Sequence, residues 1–174
     1  MTTLVNQILS ILTVAGQAVV LLILILYFFD AKNSILAFFS KNSIKFSFIV
    51  ALVAMLGSLF FSEVAGYEPC KLCWFQRIFM YPQVFLLGLA LWKKEKIVAK
   101  RNSIMLSVIG AVIASYHYLL QIGIAPELPC SATGYSVACS QRFIMSFGYI
   151  TIPMMALTAF LLILVFLLSN RTAK

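Results

Sequence analysis

The chain has 174 residues, of which 63% are hydrophobic and only 10% charged, with a formal net charge of +8. A soluble domain carries roughly 25% charged residues, so this composition argues against a water-soluble globular protein. The basic residues are scattered among short connections rather than gathered into a stripe, which argues against nucleic acid as the partner.

Five apolar runs come close to the roughly 20 residues that a bilayer crossing needs: residues 4–29, 46–62, 72–92, 103–122 and 143–169. The runs are continuous and lack strict alternation, so they predict helices rather than barrel strands. The expected fold class is all-α, a polytopic membrane helical bundle forming a single integral membrane domain over residues 1–174. The polar connections are too short to form a soluble domain, and no internal repeat or low-complexity linker is present. Residues 1–10 hold no Lys or Arg, and the first apolar run exceeds the roughly 7–15 residues of a signal-peptide core. It reads as a retained helix.

Basic residues set the orientation. With the N-terminus outside, ten fall inside: Lys32, Lys41, Lys45, Lys93, Lys94, Lys96, Lys100, Arg101, Arg171 and Lys174. Only Lys71, Arg77 and Arg142 fall outside. This split predicts an N-out, C-in topology with outer loops at residues 63–71 and 123–142. All four cysteines then lie on the extracytoplasmic side, where disulfides persist.

The third run opens on Cys70-Lys71-Leu72-Cys73 and carries Arg77 four residues beyond Cys73. A helix N-terminus favours a thiolate, and Arg77 shares a helix face with Cys73. Arg77 alone could be an interfacial snorkelling residue; the adjacent C-x-x-C makes it a candidate for binding a polarised acceptor. Trp74, Phe75, Phe79 and Tyr81 fit an interfacial belt and receive no cofactor role. Pro82 and Pro153 fall inside the third and fifth runs, where kinks are expected.

The fourth run carries the only histidine, His117, with Gln121 one turn on. A buried polar residue in a membrane helix either bonds across the bundle or serves the chemistry. Cys130 and Cys139 are separated by eight residues in the second outer loop. Taken alone they suit a structural staple. A second pair at the same surface makes thiol–disulfide exchange between pairs possible. A four-cysteine zinc site is disfavoured by the uneven spacing and the outer location, so no metal is expected.

Residues 70–77 resemble the C-x-L-C-x-x-x-R signature of the DsbB/BdbC family of disulfide bond formation proteins. His117 stands thirteen residues before Cys130, as the family histidine does before the first cysteine of its second outer loop, and Gln121 also matches. The resemblance runs from about residue 46 to the C-terminus. It implies a four-helix DsbB-like core with an extra N-terminal transmembrane helix, in the bacterial cytoplasmic (inner) membrane. It further implies a protein-dithiol:quinone oxidoreductase with redox-active disulfides Cys70–Cys73 and Cys130–Cys139. A thioredoxin-like, DsbA-type protein outside the membrane would be captured by Cys130, and Cys139 would exchange with Cys70. Cys73 would pass the electrons to ubiquinone or menaquinone, in a pocket lined by Arg77, His117 and Gln121. Three departures are visible: a shorter second outer loop than in some members, Gln76 where some relatives carry an acidic residue, and the additional first helix. Three other readings are a vitamin K epoxide reductase-like enzyme, an outward electron relay and a non-catalytic scaffold with two structural disulfides. The signature at residues 70–77 disfavours the first, and the absence of any inner-side cysteine disfavours the relay.

Overall fold

Six helices build the described part of the computed structural model, which covers residues 2–29, 34–93, 96–125 and 139–169. They are α1 (Thr2–Phe29), α2 (Ser34–Lys41), α3 (Ser43–Leu59), α4 (Lys71–Lys93), α5 (Lys96–Gln121) and α6 (Ile152–Ser169), and α3 runs into a single π turn, Phe60–Val64. The protein is an all-α membrane bundle. Segments Thr2–Phe29, Ser43–Val64, Lys96–Gln121 and Ile152–Ser169 are long and apolar enough to cross a bilayer. Helix α4, with 23 residues, reaches about 35 Å. It is less apolar because Lys71, Gln76, Arg77, Gln83 and Lys93 lie along it.

Helices α3, α4, α5 and α6 form a ring: α4 packs on α3 and α5, and α6 also packs on both of those. Helix α1 lies outside the ring against α6. The polarity of the bundle suits lipid. Bulky apolar side chains such as Phe85, Trp92 and Val112 face outward, while Ser47, Gln83, Ser103, Ser107 and His117 are buried inside. Polar side chains inside a membrane bundle bond across helices because lipid offers them no partner. Accordingly, Ser107 Oγ on α5 donates to Gln83 Oε1 on α4 at 3.0 Å. Small residues let the backbones close up. A Cβ at Gly110 of α5 would collide with the ring of Phe160, which is fully buried in the central cluster with Leu87, Ala114 and Ile163.

Three local features depart from the pattern of apolar runs. Helix α2 was hidden in the connection between the first two runs; its Leu36 is buried with Ile23 and Phe166, which anchors the connection against the bundle. The fifth run is not helical from its start. Residues 143–151 form turns with an isolated bridge between Ser146 and Ile150, where Phe147 and Gly148 take φ of 52° and 78°. Pro153 is the second residue of α6 and produces no mid-helix kink. In the first turn its missing N–H has no intrahelical partner to lose. Pro82 does lie inside α4, as expected.

Candidate active site

One end of the ring gathers the chemistry-bearing residues. Cys70 immediately precedes α4, and its carbonyl accepts the first helical bond from the Trp74 N–H at 3.1 Å. Cys70 thus occupies the N-cap and Cys73 the third helical position. An acceptor at that position can reach back to the cap's own N–H, and the Cys73 sulfur does accept from the Cys70 backbone. The C-x-x-C spacing therefore does two things: it starts the helix, and it turns both sulfurs toward each other.

The two sulfurs are 3.4 Å apart, with the Cys70 thiol donating to Cys73. The pair is a dithiol in this structure. Cys70 is buried and Cys73 half-buried. The hydrogen bond donated to Cys73, followed by burial, pushes the Cys70 thiol up to about 12. Cys70 therefore holds its proton, and Cys73, the accepting sulfur, is the more accessible of the two.

His117 ties three elements together. Its Nε2 lies 3.1 Å from the Cys139 carbonyl oxygen and 3.6 Å from Cys70 Sγ. A carbonyl only accepts, so Nε2 carries the proton; Nδ1, 2.9 Å from Gln76 Nε2, accepts from that amide. Cys139 is buried in one cluster with Cys70 and Leu120, so a cysteine from the second loop packs beside the first pair. Cys130 and most of that loop lie outside the described residues.

Arg77 is fixed from α3. Its Nε donates to Ser58 Oγ at 3.0 Å and its Nη2 to the Ser58 carbonyl at 3.1 Å. Tyr81 donates to the same Ser58 hydroxyl at 3.3 Å, and the guanidinium lies 5.2 Å from the Trp74 ring centroid. The π turn begins two residues after Ser58, and such turns recur at functional sites. Gln121 is held at the far side: its Nε2 donates to the Gln141 carbonyl at 3.1 Å, and Arg142 Nε donates to its backbone oxygen at 2.7 Å.

Two cavities meet at the dithiol. The larger, of about 400 Å³, opens beside Cys73, Gln76 and Arg77 and continues along apolar helix faces. The smaller, of about 20 Å³, lies behind the pair and is bordered by Cys70, Cys73, His117 and Gln121. The predicted site residues are thus divided. Arg77 borders the large groove, His117 and Gln121 border the small cavity, and Cys73 borders both. Gln121 Oε1 is buried there without a hydrogen-bond partner among the described residues. Cys70, Cys73 and His117 also place one possible ligand atom each within 4.8 Å of one another. The His117 nitrogens in that triangle are already engaged by Gln76 and the Cys139 carbonyl.

Comparison with known proteins decides what this cluster belongs to. The family model described as "Disulfide bond formation protein DsbB" matches residues 40–169. The chain belongs to the DsbB family. "Disulfide bond formation protein C" of Bacillus subtilis (strain 168) is 47% identical over 132 residues, covering 73% of this chain and 93% of that protein. A "Probable disulfide formation protein" of Metapseudomonas resinovorans is 41% identical over 132 residues, covering 75% and 90%. No solved structure matches. The chain is therefore a multi-pass bacterial membrane protein of disulfide bond formation, an oxidoreductase with redox-active cysteines. The DsbB match begins after α1, which ends at Phe29.

Two residues of the cluster escaped the sequence reading. Gln76, three positions past Cys73, stood out only as a departure from relatives with an acidic residue there and received no role. Ser58 carried no signal at all, since its role arises from the packing of α3 on α4.

Proposed function

We propose that the protein is a protein-dithiol:quinone oxidoreductase: it reoxidises an extracytoplasmic thioredoxin-like thiol oxidase and passes two electrons to a membrane quinone. The carrying observation is the large groove that begins at Cys73 and Arg77. Its volume suits a small-molecule site, and so does an apolar lining with a few polar groups at one end. Arg77, held on Ser58 and flanked by Gln76, presents a fixed positive charge where a quinone carbonyl becomes negative on reduction.

The exchange balances as follows. The partner's dithiol attacks the Cys130–Cys139 disulfide at Cys130, forming a mixed disulfide, and its second thiol releases the oxidised partner. The Cys139 thiolate next attacks Cys70, and Cys70–Cys73 opens with Cys73 as the leaving thiolate. Attack by Cys130 on the Cys139–Cys70 bond restores the second-loop disulfide and leaves Cys70–Cys73 as a dithiol. That dithiol closes to a disulfide, giving up two electrons and two protons to the quinone, which leaves as quinol. The buried contact of Cys139 with Cys70 favours this order. His117 holds its Nε2 proton against Cys70 and the Cys139 carbonyl, so it steadies the Cys70 sulfur and the Cys139 backbone as exchange proceeds. The protein crosses the membrane five times, over residues 4–29, 46–62, 72–92, 103–122 and 152–169, with both cysteine loops outside and the C-terminus in the cytoplasm. The partition of basic residues supports that orientation.

A steady-state assay tests the proposal: detergent-purified protein, a reduced thioredoxin-like donor and quinone under anaerobic conditions. Quinone loss in the wild type, abolished by Cys73→Ser while the donor is still captured as a mixed disulfide on Cys130, supports it. Quinone reduction at the normal rate by Cys73→Ser contradicts the electron path. A metal-site reading has the Cys70–Cys73–His117 triangle in its favour; stoichiometric zinc in the purified protein, lost with His117→Ala, would support that reading instead.

A further inference from the structure

Helix α1 has no counterpart in the family match, which starts at residue 40, yet it forms part of the groove that starts at Cys73. It packs along α6 and makes little direct contact with α3 or α4. Two contacts hold it in that position. Gln17 bridges it to the ring, accepting from the Tyr149 hydroxyl at 2.9 Å and donating to Thr158 Oγ1 at 3.3 Å. At the outer end Leu9 leans on Gly57 of α3, where an added Cβ would lie 3.2 Å from its side chain. Between these contacts α1 and α3 stand apart as the two walls of the groove, and α6 forms its floor.

The lining has a direction. Cys73, Gln76, Arg77 and Ser58 cluster at the outer end, whereas Leu12, Ala15 and Val19 on α1 face Ile49, Val50 and Val53 on α3 further down. The polar side chains along the deeper part are spent locally: Thr13 donates to the Leu9 carbonyl at 2.7 Å and Thr158 to the Met154 carbonyl at 2.9 Å. The α3 residues that line the groove run from Ser58 to Phe46, a helical rise of about 18 Å at 1.5 Å per residue and more than half of a hydrocarbon core of about 30 Å. A site with one polar end and a long apolar remainder fits a molecule of the same build.

We propose that α1 is one wall of a channel for the prenyl tail of the quinone, so that this chain binds the tail of its acceptor as well as the head. The inference rests on the quinone reading above and adds to it a role for the additional helix. Without α1 the apolar part of the groove would open to annular lipid. With it the tail is enclosed between α1, α3 and α6, and its length contributes to affinity.

Binding, rather than turnover, tests this. Trp74 is 55% exposed and lies against the guanidinium of Arg77, which lines the groove, so quinone binding should quench its fluorescence; Trp92→Phe removes the other reporter. The detergent-purified full chain is titrated with a prenylated quinone and with its tail-less analogue. Ala15 and Ala18 are both exposed on α1, but only Ala15 lines the groove. Ala15→Phe should weaken prenylated-quinone binding about tenfold, the equivalent of one to two displaced methylene contacts. It should leave the tail-less quinone unchanged, and Ala18→Phe should alter neither. Val53→Phe, on the opposite wall, should repeat the Ala15→Phe pattern if the first variant does not fold. Unchanged prenylated-quinone affinity in Ala15→Phe and Val53→Phe, or equal weakening of both quinones, overturns the proposal. If the wild type binds neither quinone, the quinone reading itself fails, and the tail channel fails with it.

Discussion

The Cys70–Cys73 pair is asymmetric, and the asymmetry comes from where the helix starts. Cys70, at the N-cap, is buried and gives its hydrogen bond to Cys73, which keeps the Cys70 thiol protonated up to about 12. Because its pKa is raised, Cys70 should stay unreactive across neutral and mildly alkaline pH and gain reactivity only as pH approaches that value. Iodoacetamide labelling of the reduced protein at pH 7–9, read by mass spectrometry, should modify Cys73 well before Cys70. Cys73→Ala removes the acceptor and should make Cys70 more reactive at the same pH; preferential labelling of Cys70 in the wild type would contradict this geometry. Arg77 owes its position to Ser58. Charge-assisted hydrogen bonds contribute about 1.5–3 kcal/mol, so Arg77→Ala should raise the KM for quinone roughly ten- to a hundredfold. Ser58→Ala, which frees but keeps the guanidinium, should give a smaller rise, and equal quinone kinetics in Arg77→Ala would return Arg77 to an interfacial role. At this scale the sequence was legible where residues form a local motif. The pair and Arg77 sit within about two helical turns and could be read together. Gln76 and Ser58 act across helices, on His117 and Arg77, and no local spacing announces such contacts.

Each helix is specified by a different signal, and the signals failed in different ways. Long unbroken apolar runs made α1, α3 and α5 plain. Helix α4 was equally visible, although its polar residues make it the least apolar of the long helices. Those residues have partners inside the bundle: Gln76 on His117, Arg77 on Ser58 and Gln83 in the bond to Ser107. In the fifth run, apolar content continued across residues 143–151 while the backbone turned, because Phe147 and Gly148 adopt positive φ and hydropathy does not register backbone conformation. Helix α2 is short, and its burial depends on Ile23 and Phe166 from distant elements. The α5–α6 contact is the tightest in the ring, with Phe160 seated on Gly110. Gly110→Val should lower stability by about 1–3 kcal/mol, the usual range for an overpacked core. Thermal unfolding in detergent measures it, and an unchanged midpoint would mean the two helices can separate without cost.

The whole molecule is a ring of four helices with its polar groups inside, its redox pair at one end and a fifth long helix alongside. Fold class and family were readable from composition, run lengths and one eight-residue signature. The division of the site into a groove before the dithiol and a small cavity behind it was not, since it depends on how α1, α3 and α6 enclose space. The orientation proposed from basic residues has a direct check. In a cysteine-free background, an impermeant maleimide on intact cells should label Glu63→Cys and leave Lys96→Cys unlabelled; the reverse pattern would invert the topology. In the proposed reaction the Cys70–Cys73 dithiol delivers electrons to a quinone in the groove beside it. The most direct measurement is a single-turnover experiment on Cys130→Ser/Cys139→Ser protein, fully reduced, freed of reductant and mixed with quinone under anaerobic conditions. The expected result is one quinol per protein, with Cys70–Cys73 recovered as a disulfide. No quinol from this two-cysteine protein, with Cys70 and Cys73 remaining thiols, would contradict it.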